Sequence, residues 1–223
     1  YSGSAPVTLP PVLIVAHNAG DQESTVRRAL LHGATAIEID VRSLGGVLYA
    51  THSTPPELMP LRLWQAPRLW EAWRYTRAAE VLKLDLKSTD ELALDALAQF
   101  IENNPTDRQL IIVSRSPEVL AYFESKVPDV LGLLSLTTGL EIDMLIQDRE
   151  RPEGIDGVSI PAWVLSDQRI LLLTEQDYLI DAWAVNDVAR LIDLTALGVD
   201  IITTDNLAFF DMQIDIPPEA GLD

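Results

Sequence analysis

Residues 36–41, Ala-Ile-Glu-Ile-Asp-Val, decide the fold of this chain. Apolar and acidic residues alternate in this stretch, and successive side chains of a β-strand point to opposite faces. The isoleucines and the valine would therefore pack on one face, while Glu38 and Asp40 project together from the other. Two carboxylates on one buried face repel each other unless a cation or a shared proton compensates. The stretch predicts a strand whose acidic face surrounds a metal ion.

A second acidic strand follows in residues 84–87, Leu-Asp-Leu-Lys, where Asp85 and Lys87 share one face. Taken alone, either pair would also fit a wet strand end that makes surface ion pairs. Two such strands in succession favour the metal site.

Strand and helix patterns alternate along the rest of the chain. Eight apolar runs predict strands over residues 12–16, 36–41, 81–87, 110–114, 130–136, 157–161, 179–185 and 199–203. Helical periods are clearest over residues 89–101 and 188–197, whereas residues 137–154 lack a clean helical period. Eight strand–helix units favour a single (β/α)₈ TIM barrel, with a short insertion after the second strand at residues 54 to about 79. An open doubly wound sheet is the competing fold, but no glycine-rich phosphate loop follows the first strand.

The barrel is expected to form one domain over residues 1–223, with an ordered core at about 11–210 and loose ends at 1–10 and 212–223. Hydrophobic residues make up 48% of the chain, which is ordinary for a globular protein. The longest apolar runs fall short of the roughly 20 residues that a membrane-spanning helix needs, so we expect a soluble protein. The chain begins with Tyr1 rather than Met, which suggests a processed or trimmed product. No targeting signal is read, and the compartment and oligomeric state stay open.

Charge and cysteine content exclude several classes of function. The formal net charge of −18 would repel nucleic acids and anionic membranes, so no nucleic-acid partner is expected. The chain has no cysteine, which excludes disulfides, thiolate zinc sites and a cysteine nucleophile.

Two of the three histidines follow strand-like runs. His17 ends the first strand, and His52 ends a short extended run over residues 47–52. Strand ends form the active face of a barrel, so these imidazoles are candidates for a general acid and a general base. Each taken alone is better explained as a hydrogen-bonded loop histidine, and the neighbouring carboxylates together with the second histidine favour the catalytic interpretation. His32 precedes Gly33 and is better explained as a charge at a helix C-terminus.

The order of these motifs resembles the glycerophosphodiester phosphodiesterase family of the phosphatidylinositol-phospholipase-C-like superfamily. His17, Glu38-Ile39-Asp40-Val41, His52, Asp85-Leu86-Lys87, Trp183-Ala184-Val185-Asn186 and residues 198–206 carry the resemblance, which spans about residues 12–207. It implies a metal-dependent hydrolase of lipid metabolism that cleaves glycerophosphodiesters to glycerol phosphate and an alcohol.

The resemblance also implies roles for individual residues. His17 and His52 would be the catalytic pair, and Glu38, Asp40 and Asp85 would hold Mg²⁺ or Ca²⁺. Substrate contacts would come from Lys87 at the phosphate, from Trp183 and from Asn18.

The chain departs from the family at three places. Residues 17–20 read His-Asn-Ala-Gly where relatives read His-Arg-Gly, so Asn18 replaces a cation; Ser53 follows His52 where relatives have Asp. The third carboxylate, Asp85, is shorter than the usual Glu and is similar to the sphingomyelinase D branch. Two alternatives follow: a sphingomyelinase-D-like or lysophospholipase-D-like enzyme that forms a cyclic phosphate, and a non-catalytic barrel that binds a phosphorylated ligand.

The insertion is rich in large apolar residues: Leu61, Leu63, Trp64, Leu69, Trp70 and Trp73. They predict either an apolar rim that accepts a lipid chain or a choline-like head group, or a helix packed on the barrel. The expected partner is a small-molecule or lysolipid phosphodiester, with transient lipid contact under the first interpretation.

Overall fold

The chain folds into a closed barrel of eight parallel strands with one additional antiparallel strand. The structure is a computed structural model that describes residues 12–56, 64–127, 129–148 and 150–212. The strands are β1 (Leu13–Ala16), β2 (Ala36–Leu44), β3 (Val47–Ala50), β4 (Val81–Leu86), β5 (Gln109–Ser114), β6 (Leu131–Ser135), β7 (Gly157–Pro161), β8 (Leu179–Trp183) and β9 (Ile201–Thr204). Their order is β1-β9-β8-β7-β6-β5-β4-β2-β3, and pairing of β1 with β2 closes the barrel. The fold is a TIM barrel.

Helices cover the outside of the barrel. They are α1 (Glu23–Leu31), α2 (Leu69–Tyr75), α3 (Glu91–Asn103), α4 (Pro117–Lys126), α5 (Gly139–Gln147), α6 (Asp167–Thr174), α7 (Val188–Ala196) and α8 (Ala208–Asp211). Five of them begin after a Ser, Thr or Asp whose side chain accepts a backbone N–H of the first turn: Asp90, Ser116, Thr138, Ser166 and Asp187. These caps satisfy amides that have no partner within the helix, and they fix where each helix starts after its strand.

Two apolar layers stabilise the barrel. The larger layer lies between strands and helices and includes Ile37, Ile39 and Val41 of β2. The smaller layer fills the interior with residues from five strands: Val15, Ala36, Ile111, Val113, Leu133 and Ile201. Because Ile37, Ile39 and Val41 face the helices, Glu38 and Asp40 must face the interior, as the alternating pattern predicts.

The structure confirms the (β/α)₈ barrel and each of the eight predicted strands. One difference is that β2 continues to Leu44 and pairs with β3 as an antiparallel hairpin, which turns at Gly45 and Gly46 with positive φ. The short extended run before His52 is therefore a strand beside the barrel.

A second difference lies in residues 137–154, where α5 forms although the helical period is weak. The reason is a capping box, in which Thr138 and Glu141 each accept from the other's backbone amide. The expected single domain over residues 1–223 and the loose ends at 1–10 and 212–223 extend outside the described residues and stay predictions.

Candidate active site

The candidate site lies where the parallel strands end at one mouth of the barrel. Inward-facing side chains recur every second residue along each strand, and each row continues past the strand end. The rows deliver polar side chains to the mouth from six strands: His17 after β1, Asp40 and Arg42 on β2, Asp85 and Lys87 from β4, Arg115 after β5, Trp183 on β8 and Asp205 after β9.

Three carboxylates converge at this mouth. Asp40 on β2 pairs in register with Asp85 on β4, and Glu38 lies one inward position below Asp40. One oxygen from each of Glu38, Asp40 and Asp85 lies within 4.8 Å of the other two. The structure thus brings together the three residues that the sequence analysis selects as metal ligands.

Asp40 gives the strongest reason to expect that a cation binds at this mouth. Its side chain is fully buried, and Oδ2 accepts no hydrogen bond within the described part of the chain. The Lys87 Nζ lies 3.0 Å from Asp40 Oδ1 as an ion pair. A buried carboxylate is costly without such compensation, and oxygen ligands of this kind suit Mg²⁺ or Ca²⁺. The three acidic residues therefore fit a divalent cation.

Lys87 lies among the carboxylates rather than apart from them. Its Nζ donates to Asp85 Oδ2 at 2.6 Å in addition to its contact with Asp40. Burial acts to lower the pKa of Lys87, but the neighbouring Asp85 and Asp40 outweigh it and raise that pKa above its ordinary value. Lys87 stays an ammonium and provides a positive charge at the edge of the cluster.

His17 is oriented by a carboxylate. Its Nδ1 lies 2.8 Å from Asp205 Oδ1, and its Nε2 lies 3.9 Å from Glu38 Oε2. An ionised carboxylate only accepts hydrogen bonds, so this contact favours the tautomer with the proton on Nδ1. The other ring nitrogen, Nε2, is then unprotonated and faces the carboxylate cluster. Asn186 Nδ2 donates to the other oxygen of Asp205 at 3.1 Å and fixes that carboxylate in turn.

His52 is held through its backbone. Its N–H donates to Asp21 Oδ2 at 3.0 Å, and its carbonyl oxygen accepts from Arg42 at 2.8 Å. The exposed imidazole lines the same cleft as Asp85. His32, by contrast, is the C-cap of α1 and pairs with Asp211 at 2.7 Å, which agrees with a structural role.

A buried polar network that the sequence analysis missed lies under the carboxylates. Lys83 is 1% exposed, and its Nζ donates to Asp181 Oδ2 at 2.5 Å and Thr203 Oγ1 at 2.9 Å. Ser159 and Thr203 also donate to Asp181, at 2.6 and 2.8 Å. The Lys83 Nζ lies 3.5 Å from Glu38 Oε1, so the network holds Glu38 from below.

These contacts and the burial of both groups shift the pKa values of Lys83 and Glu38. Burial acts to lower the pKa of Lys83, but Asp181 and Glu38 raise it well above its ordinary value. Burial raises the pKa of Glu38, and the charge of Lys83 opposes that rise. The available signal in the sequence was the position of Lys83 two residues before Asp85, on the same face of the strand.

Asp21 is a second residue that the sequence analysis missed. It lies in a 3₁₀ turn (Ala19–Asp21) after β1, and its carboxylate accepts the backbone N–H groups of Asp40 and His52, each at 3.0 Å. Burial, with help from the charge of Asp40, raises the pKa of Asp21 to about 8. Asp21 therefore connects the first loop of the mouth to the backbone of Asp40, one of the three carboxylate residues, and to the backbone of His52.

Asn18 and Trp183 both lie at the mouth. Asn18 has φ +49°, and its backbone N–H donates to Glu38 Oε2 at 3.3 Å. Trp183 lines the cleft, and its ring makes an edge-to-face contact with the exposed Trp163 at 6.0 Å between centroids. Asn18 therefore contacts the carboxylate cluster, while Trp183 lies on the cleft wall.

The cleft beside the carboxylates is open and has a volume of about 500 Å³. It is lined by Arg42, His52, Asp85, Leu86, Lys87, Thr89, Arg115, Ser135, Thr137 and Trp183. Its size suits a small molecule or one end of a larger one.

The tryptophans of the insertion mostly pack on the protein. Leu69 is buried, and Trp73 packs edge-to-face on Phe100 of α3 at 5.3 Å. Trp64 contacts Tyr49 of β3 at 4.8 Å, while Trp70 is exposed on α2. The contacts of Leu69 and Trp73 match the packed-helix interpretation; Leu61 and Leu63 lie outside the described residues.

Comparison with known proteins finds likeness in structure but not in sequence. No protein-family model matches the chain, and no curated protein matches its sequence. The structure is similar to a phosphodiesterase from Oleispira antarctica in complex with the product sn-glycerol-3-phosphate (TM-score 0.74, 18% identity, 91% of this chain and 95% of that chain). It is also similar to a glycerophosphodiester phosphodiesterase from Parabacteroides distasonis (TM-score 0.70, 17% identity, 91% and 96%).

This chain has the fold of these phosphodiesterases. A calcium-dependent phosphoinositol-specific phospholipase C from Pseudomonas sp. shares that fold more distantly, at TM-score 0.56 and 10% identity over 88% of this chain and 90% of that chain. The fold that the motif resemblance implies is confirmed. Among the described helices, none has the length and apolarity needed to cross a bilayer.

Proposed function

We propose that this chain is a metal-dependent phosphodiesterase that cleaves glycerophosphodiesters to glycerol phosphate and an alcohol. The observation that carries the proposal is the convergence of Glu38, Asp40 and Asp85 beside His17 and His52 at the barrel mouth. Likeness of fold to glycerophosphodiester phosphodiesterases supports this substrate class. A role in lipid metabolism follows from that substrate.

Glu38, Asp40 and Asp85 would hold the cation, either Mg²⁺ or Ca²⁺. When bound, such an ion neutralises the phosphate charge and polarises its oxygens. Lys83 keeps Glu38 in place from below, and Lys87 supplies a further positive charge where a phosphate would lie.

The two histidines would move the protons. Asp205 holds the His17 ring so that Nε2 is available, and His52 lies on the wall of the same cleft. One imidazole removes a proton from the attacking hydroxyl, and the other protonates the leaving oxygen. A glycerophosphodiester has a hydroxyl beside its phosphate, so attack by that hydroxyl benefits from proximity. This attack would release the alcohol and form a cyclic phosphate, which water would then open to glycerol phosphate; direct attack by water would give the same products in one step.

A second candidate function is sphingomyelinase-D-like or lysophospholipase-D-like cleavage with a cyclic phosphate product. Two observations favour it: the short Asp85 carboxylate, and the aromatic pair of Trp183 and the exposed Trp163 at the mouth. An aromatic surface of this kind suits an apolar chain or a choline head group.

The test is hydrolysis of glycerophosphocholine by the wild type, with Mg²⁺ or Ca²⁺ and with chelator. We expect turnover that chelator abolishes and that falls at least about 100-fold in Glu38→Gln and in His17→Asn. Glu80→Gln, an exposed glutamate just before β4, is the control and should match the wild type.

Undiminished turnover in Glu38→Gln or His17→Asn would refute the proposed site. Binding of the diester without product under either cation would favour the non-catalytic barrel. A cyclic phosphate released from a lysolipid would select the second candidate.

A further inference from the structure

A cationic wall, formed by Arg42 and Arg115, lines the cleft beside the carboxylate cluster, and the proposed chemistry uses neither residue. Arg42 follows Asp40 by two residues on the inward row of β2, and Arg115 follows the interior residue Val113 by two residues after β5. Both arginines therefore belong to rows that point to the mouth, and both line the cleft.

The charge of this wall is opposite to that of the chain. Lys87 in this cleft is paired with Asp85 and Asp40, whereas Arg42 and Arg115 form no ion pair with a carboxylate of the described residues. The chain as a whole has 34 acidic and 16 basic residues. A local excess of positive charge on such an acidic protein marks a surface where an anion is favoured.

Arg115 is held in position by a hydroxyl and not by a direct ion pair. Its guanidinium donates to Thr137 Oγ1 at 2.8 Å, and no carboxylate oxygen of the described residues lies within the 4.0 Å of an ion pair. The nearby Glu141 instead accepts from the amides of Thr137 and Thr138, at 2.8 Å each. Arg169 shows the contrast, because it forms a two-point contact with Asp143.

Arg42 contributes from the neighbouring side of the cleft. Its guanidinium donates to the carbonyl oxygen of His52 at 2.8 Å, which ties it to the loop that carries this histidine. A guanidinium presents several N–H groups in a fixed plane that matches the oxygens of a carboxylate or phosphate.

We propose that Arg115, assisted by Arg42, forms a head-group subsite that binds an anionic group on the alcohol half of the diester. The inference rests on the proposed function and deepens it. A phosphodiester carries one negative charge, and a cation at the carboxylate cluster together with Lys87 already compensates it. The two arginines are therefore available for a second negative charge on the substrate. The preferred substrate is therefore a glycerophosphodiester whose alcohol bears a carboxylate or a phosphate, and a choline ester is a poorer substrate.

Matched substrates test this subsite. Glycerophosphoserine and glycerophosphoethanolamine differ by one carboxylate, and glycerophosphoglycerol phosphate and glycerophosphoglycerol differ by one phosphate. We expect the wild type to prefer the anionic member of at least one pair by about tenfold or more in kcat/KM, and the pair that shows it identifies the anion. In Arg115→Gln that ratio should fall toward one, with an intermediate ratio in Arg115→Lys. The control Arg151→Gln, whose guanidinium stacks on Tyr178 away from the mouth, should keep the wild-type ratio.

Two kinetic results would contradict the subsite. The first is a wild-type kcat/KM ratio near one for both pairs. The second is an equal fall in kcat/KM for both members of each pair in Arg115→Gln, which would indicate that Arg115 contacts the scissile phosphate. Calorimetric binding of the same pairs tests the subsite separately from catalysis. If no ester is hydrolysed with either cation, the proposed function is wrong. The subsite is then still supported if the wild type binds an anionic ester more tightly than its neutral partner and Arg115→Gln abolishes that difference. It is contradicted if the wild type binds both members of each pair equally.

Discussion

Lys83 shows how a single buried charge organises the site. Its ammonium lies inside the barrel, where the carboxylates of Asp181 and Glu38 and the hydroxyl of Thr203 surround it. Burying a charge costs free energy that only close partners offset. The arrangement provides a fixed positive charge directly below a proposed metal ligand.

Replacing this lysine tests the network. Lys83→Met removes the ammonium and leaves Asp181 buried without its cation, so we expect the free energy of unfolding to fall by about 3–5 kcal/mol in urea titrations. Lys126→Met, at the exposed C-terminus of α4, should change it by less than about 0.5 kcal/mol. A loss below about 1 kcal/mol in Lys83→Met would mean that the network stabilises little.

Asp205 offers a second test at the residue scale. Asp205→Ala removes the acceptor that orients His17, so we expect kcat for the proposed hydrolysis to fall about 10- to 100-fold, with a smaller change in KM. The chain provides a matched control in Asp211→Ala, since Asp211 makes the same contact with His32 away from the mouth. Equal effects of the two substitutions would argue against catalysis by His17.

At the scale of elements, the 3₁₀ turn after β1 packs directly on β2 and positions the first loop of the barrel mouth. Gly20 lies flat on β2; a Cβ added there would lie 2.3 Å from the Ile39 side chain and 2.7 Å from the Glu38 carbonyl oxygen. No side chain fits in that space, so the glycine allows Asp21 to reach the amides of Asp40 and His52.

Gly20→Ala should therefore push the turn away from β2. We expect a loss of about 1–3 kcal/mol in the free energy of unfolding, from overpacking, together with weaker cation binding because Asp21 withdraws from Asp40. Ser24→Thr, which enlarges an exposed residue in the first turn of α1, is the control for thermal denaturation and calorimetry. If Gly20→Ala unfolds at the same free energy as the wild type and binds the cation with the same affinity, this account of the turn is wrong.

The elements also show what a sequence can and cannot predict. Apolar runs predict the strands, and alternation within residues 36–41 and 84–87 predicts that Glu38 and Asp40 share one face of a strand and that Asp85 and Lys87 share one face of the next. Lys83 was missed because its partner Asp181 is 98 residues away in the chain, and their contact depends on strand register across the barrel. Asp21 was missed because a three-residue turn has no period to detect.

At the scale of the whole molecule, charge is unevenly distributed. The net charge of −18 attracts cations in general, so weak binding of divalent ions would not by itself identify a site. The three convergent carboxylates differ from the rest of the acidic surface because Glu38 and Asp40 are buried. A specific site must therefore respond to loss of one of these carboxylates and not to loss of an equal charge elsewhere.

Calorimetric titration of the metal-stripped protein with Mg²⁺ and with Ca²⁺ tests the central claim most directly. We predict one tight site per chain for at least one of the two ions, weakened about 100-fold in Asp40→Asn and unchanged in Glu80→Gln, which removes the same charge from the exposed surface. Identical titrations of the wild type and Asp40→Asn, or no saturable binding of either ion, would contradict a metal site formed by Glu38, Asp40 and Asp85.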